Sequence, residues 1–330
     1  MISRLLLGVA LAATAPLAAA AADVEVTIDG GKAPLHGSLR TPAGFTRGPA
    51  VLMISGSGPT DRNSDSATPH VRPASLRLLA DGLEREGLPS LRFDKRGIAA
   101  SLAAGPAEAD LRFDDLVKDA ATWAALLKAQ PGVTCVVLFG HSEGALIAAA
   151  VAARTPVCGV VETAGVGRPV DVVIEAQIAA AGAPPAVQAT MRETFDALKQ
   201  GRTVPTPPGL DALFRPSVQP YLISLLRYDP VATLEAAKAP VLILQGDNDV
   251  QVSVEDAHRL AAARPDAELV IVHGMNHILK DAPTDRAGNL ATYADPGRPL
   301  EPEVVPTVVA FIRKVDGSHQ SRPPEPFPNP

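Results

Sequence analysis

Residues 135–154 read CVVLFGHSEGALIAAAVAAR, and the fold turns on how that stretch is divided. Its first six residues form an apolar run with no alternation, as in a strand covered on both faces. Its last ten, Ala145 to Arg154, are alanine-rich and helical in character. Between them stands Gly140-His141-Ser142-Glu143-Gly144. A nucleophile on a tight strand-to-helix turn has a strained backbone and neighbours without room for side chains. That is why glycine is needed two residues before and two after it. The helix that follows aims its positive N-terminus at the site, where it can stabilise a developing oxyanion. A bare G-x-S-x-G match arises often by chance; its place between strand and helix gives this one meaning.

Outward from this segment the same grammar repeats. AVLMIS (50–55), LPSLRF (88–93), CGVVET (158–163), PVLILQG (240–246) and ELVIVHG (268–274) are short continuous apolar runs, separated by amphipathic or alanine-rich stretches. The helical stretches include Ala74 to Glu86, Phe113 to Ala129 and Ser253 to Ala263, the last opened by a capping pair, Ser253 and Asp256. This alternation predicts an α/β fold with a mostly parallel twisted sheet flanked by helices. Ahead of it, Val24 to Ile28 and Leu35 to Leu39 flank Gly30-Gly31 and predict an antiparallel hairpin. The rhythm breaks over 166–232. Helical candidates at Val170 to Ala181, Ala186 to Gln200 and Ser217 to Arg227, punctuated by prolines, are expected there as an insertion between two strands.

The remaining composition bounds the class of molecule. The 330 residues carry 30 basic and 36 acidic side chains, so no broad basic surface suited to nucleic acid is expected. Met1 to Ala22 has one charge, Arg4, then an apolar run and small residues, the layout of a removable signal peptide. The run is too short for a spanning helix, so a periplasmic or secreted protein without a membrane anchor is expected. The chain then divides into a core at 23–165 and 233–316, the insertion at 166–232 and a flexible tail at 317–330, whose end reads RPPEPFPNP. Export leaves two readings for Cys135 and Cys158: a disulfide between neighbouring strands, or two buried free thiols.

A serine hydroxyl is a weak nucleophile that needs a base, and the base needs an orienting carboxylate. Asp247-Asn248-Asp249 follow the run PVLILQG, and Asn276-His277 follow ELVIVHG. Serine, aspartate and histidine therefore occur in that order on loops at the C-terminal ends of strands, where open α/β sheets place ligand sites. Asp247 rivals Asp249 as the acid. His273 rivals His277 as the base, although it closes a strand run and suits a packed or rim position. A zinc site from His273 and His277 at i and i+4 finds little support, since no glutamate follows the first histidine. His141 reads as structural; His36, His70, His258 and His319 have no motif around them.

Taken with SGSGPTDR (55–62), FDKRG (93–97), QGDNDVQV (245–252) and GMNHIL (274–279), the GHSEG turn resembles the α/β-hydrolase superfamily. The nearest likeness is to bacterial carboxylesterases grouped with serine-aminopeptidase-like hydrolases, and it spans nearly the whole chain after the leader. The resemblance implies hydrolysis of a small-molecule carboxylic ester, no metal or organic cofactor, and a helical lid between the sixth and seventh strands. It matches Ser142 to the nucleophile, His277 to the general base and Asp249 to the orienting acid. The oxyanion would be bound by the backbone N–H groups of Glu143 and Ser57, the latter on a Ser55-Gly56-Ser57-Gly58 loop that replaces the HGGG loop of lipases. The carboxylate of Glu143 is read as a solvated or salt-bridged neighbour. Asp61-Arg62 and Asp94-Lys95-Arg96 are candidates to pair and brace the site loops, or are simply solvated charges. The aromatic and aliphatic residues of the insertion would roof an apolar acyl pocket. An aminopeptidase or thioesterase could use the same triad, the peptidase holding a substrate ammonium on Glu175, Glu193 or Asp196; a catalytically silent binding protein is the remaining alternative.

Overall fold

The computed structural model describes residues 22–67 and 70–320; the expected leader and the RPPEPFPNP end lie outside the described residues, apart from Ala22. Among the described residues eight strands form one sheet in the order β1-β2-β4-β3-β5-β6-β7-β8. β1 (Val24–Asp29) and β2 (Pro34–Arg40) make the expected antiparallel hairpin, and β2 joins β4 (Ser90–Phe93) antiparallel. From there β3 (Gly48–Ile54), β5 (Val133–His141), β6 (Gly159–Thr163), β7 (Val241–Gly246) and β8 (Glu268–Val272) run parallel. β3, β6 and β7 are buried at every position, which explains their unbroken apolar sequences: both faces are covered by helices.

On one face α1 (Ser75–Arg85) and the last helix cover Val51, Met53, Val137 and Phe139. On the other lie α2 (Phe113–Lys128) and α3 (Glu143–Ala152), packed on Leu52, Ile54, Val136 and Leu138. α3 is buried from Gly144 to Ala152 and is apolar all round, as a helix enclosed on every side must be. Its alanines let it lie close against the sheet.

Between β6 and β7 the chain forms α4 (Val170–Ala180), α5 (Pro185–Lys199), α6 (Asp211–Phe214), α7 (Gln219–Leu225) and α8 (Pro230–Ala236). The first four share a small core of their own around Met191, Phe195, Leu198, Phe214 and Leu222. α8 packs instead on α3 and on α9 (Val254–Ala263). The expected boundary at 232 thus falls inside a helix of the main body. Asp229 caps that helix through a 2.9 Å hydrogen bond from the Ala232 N–H, with proline next in line, a start signal short enough to escape a periodicity search. α9 begins with the predicted Ser253/Asp256 capping box. After α10 (Arg286–Ala291), α11 (Val304–Gln320) runs across the expected boundary at 317.

Cys135 in β5 and Cys158 just before β6 are joined by a disulfide, with Cα atoms 5.9 Å apart. The sequence alone left this pairing open. The bond lies in the core under α11, toward the ends of the strands opposite Ser142.

Candidate active site

Ser142 sits at the junction of β5 and α3 with φ 55° and ψ −121°, a conformation that L-residues rarely adopt. Its N–H donates to the Thr163 carbonyl of β6 at 2.9 Å, holding the turn against the sheet. The glycine rule is steric in detail. A Cβ at Gly140 would lie 2.2 Å from the Gly144 carbonyl oxygen, and one at Gly144 would lie 2.2 Å from that of Ile54.

Asp249, on the loop after β7, is almost fully buried. One carboxylate oxygen accepts the N–H groups of Gln251 and Val252 at 2.7 and 3.0 Å. The other faces His277 Nδ1 at 2.8 Å and accepts from Gln245 Nε2 at 3.3 Å. Burial by itself would raise the carboxyl pKa, yet the net shift is downward, because the His277 charge and hydrogen bond and the two amides favour the anion. With Nδ1 committed to Asp249, the ring nitrogen left to take a proton is Nε2. His277 and Ser142 line one cavity of about 190 Å³.

The rivals are disposed of elsewhere. Asp247 accepts from the Gly274 N–H at 2.7 Å and pairs with His273 Nδ1 at 2.8 Å, and that histidine side chain is 96% exposed. His273 and His277 therefore do not converge. His141 is tied to the proposed base: its Nε2 donates to the His277 carbonyl at 2.7 Å, and the two rings lie 4.9 Å apart.

Gly56 and Ser57 border the same cavity, and a Cβ on Gly56 would come within 3.3 Å of Ser142 Cβ. The candidate oxyanion loop thus lies directly against the Ser142 turn. Thr60 Oγ1 donates to the Ser57 carbonyl at 2.8 Å. The charged clusters do pair, in three directions. Asp94 accepts the Arg62 N–H and guanidinium, each at 2.8 Å, and Arg96 donates to Asp119 at 2.7 Å. Lys95 alone turns to the site, where its Nζ donates to the Gly56 carbonyl and lies 4.0 Å from Glu143. The other Glu143 oxygen accepts from Tyr221 of α7 at 2.8 Å. The Glu143 carboxylate is thus a bridged neighbour of the site. The sequence offers Lys95 as one of three charges that could brace the site loops and Tyr221 as an aromatic roof of an acyl pocket; the structure instead links the two through the Glu143 carboxylate.

The cavity differs from expectation. It is walled by residues drawn from 56–66 and 71–75, by Gln251, Ile278 and Tyr293, with hydroxyls from Ser57, Thr60 and Ser75, and none of the described residues lining it belongs to 166–232. Met191, Phe195, Leu198, Phe214 and Leu222 gather in the insertion's own core, while Leu225, Tyr221 and Tyr228 pack on the core of the main body.

A family model described as the alpha/beta hydrolase family matches residues 35–292. Esterase EstD from Thermotoga maritima is 26% identical over 258 residues, 77% of this chain but only 59% of that protein's length. Among solved structures, Est1E from Butyrivibrio proteoclasticus with ferulic acid bound superposes with a TM-score of 0.57 at 16% identity, covering 90% of this chain and all of that one. The Pyrococcus furiosus esterase Pf2001 gives 0.56 at 18% identity, covering 89% and 91%. At such identities the structural likeness speaks for the fold.

Proposed function

The chain belongs to the alpha/beta hydrolase family, and on that premise we propose that it is an exported serine hydrolase that cleaves carboxylic esters of short to medium acyl chain. The observation that carries this reading is the constellation of Ser142 on its strained turn, His277 beside it on one cavity wall, and Asp249 bonded to the far nitrogen of that histidine at 2.8 Å. His277 Nε2 takes the Ser142 proton as Oγ attacks the acyl carbonyl. The N–H groups of Glu143 and Ser57 bind the oxyanion, and the imidazolium protonates the leaving alcohol. Water, deprotonated by the same nitrogen, then attacks the acyl-enzyme and frees the acid and Ser142. The similarity to EstD favours an ester over an amide. So does the insertion: Glu175 lies 3.4 Å from Arg192, and Asp196 lies 3.0 Å from Lys199, so two of the three acids that could hold a substrate ammonium already face cations.

Export is supported by the Cys135–Cys158 disulfide, which suits an oxidising compartment, and by the leader-like Met1 to Ala22. Labelling of the purified protein with a fluorophosphonate, beside Ser142→Ala, tests the nucleophile; labelling that survives the substitution rejects it. Esters of graded acyl length run against aminoacyl amides and thioesters test the substrate class, and turnover of amides alone would reject an esterase. Cell fractionation of the expressing organism tests export.

A further inference from the structure

Lys95 is a buried amine outside the triad, at the end of β4, and its two contacts both lie on the oxyanion machinery. Its Nζ donates to the Gly56 carbonyl and faces the Glu143 carboxylate at 4.0 Å. Gly56 C=O and Ser57 N–H belong to one planar trans peptide, so they point in opposite directions. A donor fixed on that carbonyl therefore fixes the direction of the Ser57 N–H. The next carbonyl, that of Ser57, is held by Thr60 Oγ1 at 2.8 Å, so the Ser57 backbone is pinned on both sides. Glu143 is the residue whose own N–H would be the second oxyanion donor. Its side chain ties back to Lys95 on one oxygen and to Tyr221 of the insertion on the other, at 2.8 Å.

Resting on the hydrolase reading above, we propose that Lys95 is the positioning residue of the oxyanion hole, setting the Gly56–Ser57 peptide and the Glu143 turn relative to each other, and that Tyr221 couples the insertion to that setting. Lys95 touches neither substrate nor reacting atoms in this scheme. An amine at a fully enclosed position is costly unless it is satisfied, and burial lowers its pKa while Glu143 opposes the shift. Satisfying it on the carbonyl of the peptide that carries the proposed Ser57 donor gives that cost a use. A preorganised donor gains its effect from already pointing where charge will develop, so loosening it should affect the transition state more than the bound substrate.

The test compares wild type, Lys95→Met and Tyr221→Phe on one activated ester, with kcat and KM separated, and with the rate of fluorophosphonate labelling measured beside each thermal melt. Lys95→Met keeps the volume and removes the donor. It is expected to lower kcat and the labelling rate by about 10- to 100-fold, somewhat less than outright loss of an oxyanion donor, with KM within about threefold. Tyr221→Phe is expected to lower kcat by about threefold to tenfold with KM again unchanged, and it answers the question if Lys95→Met does not fold. A folded Lys95→Met with wild-type kcat overturns the proposal. So does a loss carried by KM alone, or a Tyr221→Phe protein with unchanged kcat where Lys95→Met cannot be made. A wild type that neither turns over esters nor labels at Ser142 overturns the hydrolase reading itself, and this inference with it.

Discussion

His141 Nε2 donates a hydrogen bond to the backbone carbonyl of His277 across 136 residues of sequence. The residue before the proposed nucleophile thereby holds the main chain of the proposed base. Of the two neutral tautomers, only the one protonated at Nε2 can make this bond.

Loss of this clamp should cost turnover. Replacing His141 by Asn, too short to reach the carbonyl, should lower kcat by about 10- to 100-fold through misplacement of the imidazole, with Ser142 still present for labelling. Burial, and then the neighbouring His277, push the His141 pKa down from 6.5 to about 4. The unfolded chain therefore binds this proton more readily than the folded one. Stability falls as pH drops from about 6.5 to about 4, by up to ~1.4 kcal/mol per pH unit, and the variant should lose that dependence in denaturant titrations run across the window.

Glu162 should impose the opposite slope. It is buried in β6, paired in register with Gly140 of β5, and burial raises its pKa from 4.5 to about 8. Here the folded state holds the proton more tightly. Stability is highest below about 4.5, falls as pH rises, and the loss is complete above about 8. Glu162→Gln should remove this slope and raise the denaturation midpoint at pH 8 more than at pH 5; an equal gain at both would assign the effect to packing.

The two aspartates on the loop after β7 should separate cleanly. Asp249→Asn leaves the geometry but removes the charge that holds the His277 tautomer, and kcat should fall by roughly 10³- to 10⁴-fold. Asp247→Asn disturbs a rim pair with an exposed histidine and should leave kcat within about twofold. Comparable losses in both would mean that the loop, and not the charge at 249, is what matters.

Most of the parallel strands were legible because burial on both faces writes continuous apolar runs, and the order serine, aspartate, histidine followed from the loops after three of them, the choice of Asp249 over Asp247 coming from the family resemblance. The short helices α8 and α10 were not. Each is opened by an aspartate cap and runs for less than two full turns of apolar periodicity. Asp94-Lys95-Arg96 shows the limit at the site. Three adjacent charges reach three different targets, and no sequence pattern records that the middle one bonds the Gly56 carbonyl. The disulfide depended on the relative register of β5 and β6, which two apolar runs do not specify.

That disulfide separates stability from catalysis. It joins cysteines 23 positions apart, closing a loop that contains the whole Ser142 turn and α3, yet it sits toward the opposite ends of the strands. In the chain-entropy model a loop of that length is worth about 3 kcal/mol, acting through the unfolded state. Cys135→Ser/Cys158→Ser should therefore move the denaturation midpoint downward by an amount equivalent to about 3 kcal/mol while kcat at 25 °C stays within about twofold of wild type. The buried serine hydroxyls add a cost of their own, so Cys135→Ala/Cys158→Val should be measured beside it, and the part of the loss common to both belongs to the cross-link. Equal midpoints for the oxidised and reduced protein would deny the bond its stabilising role, and a kcat that falls in step with stability would tie it to the geometry of the Ser142 turn.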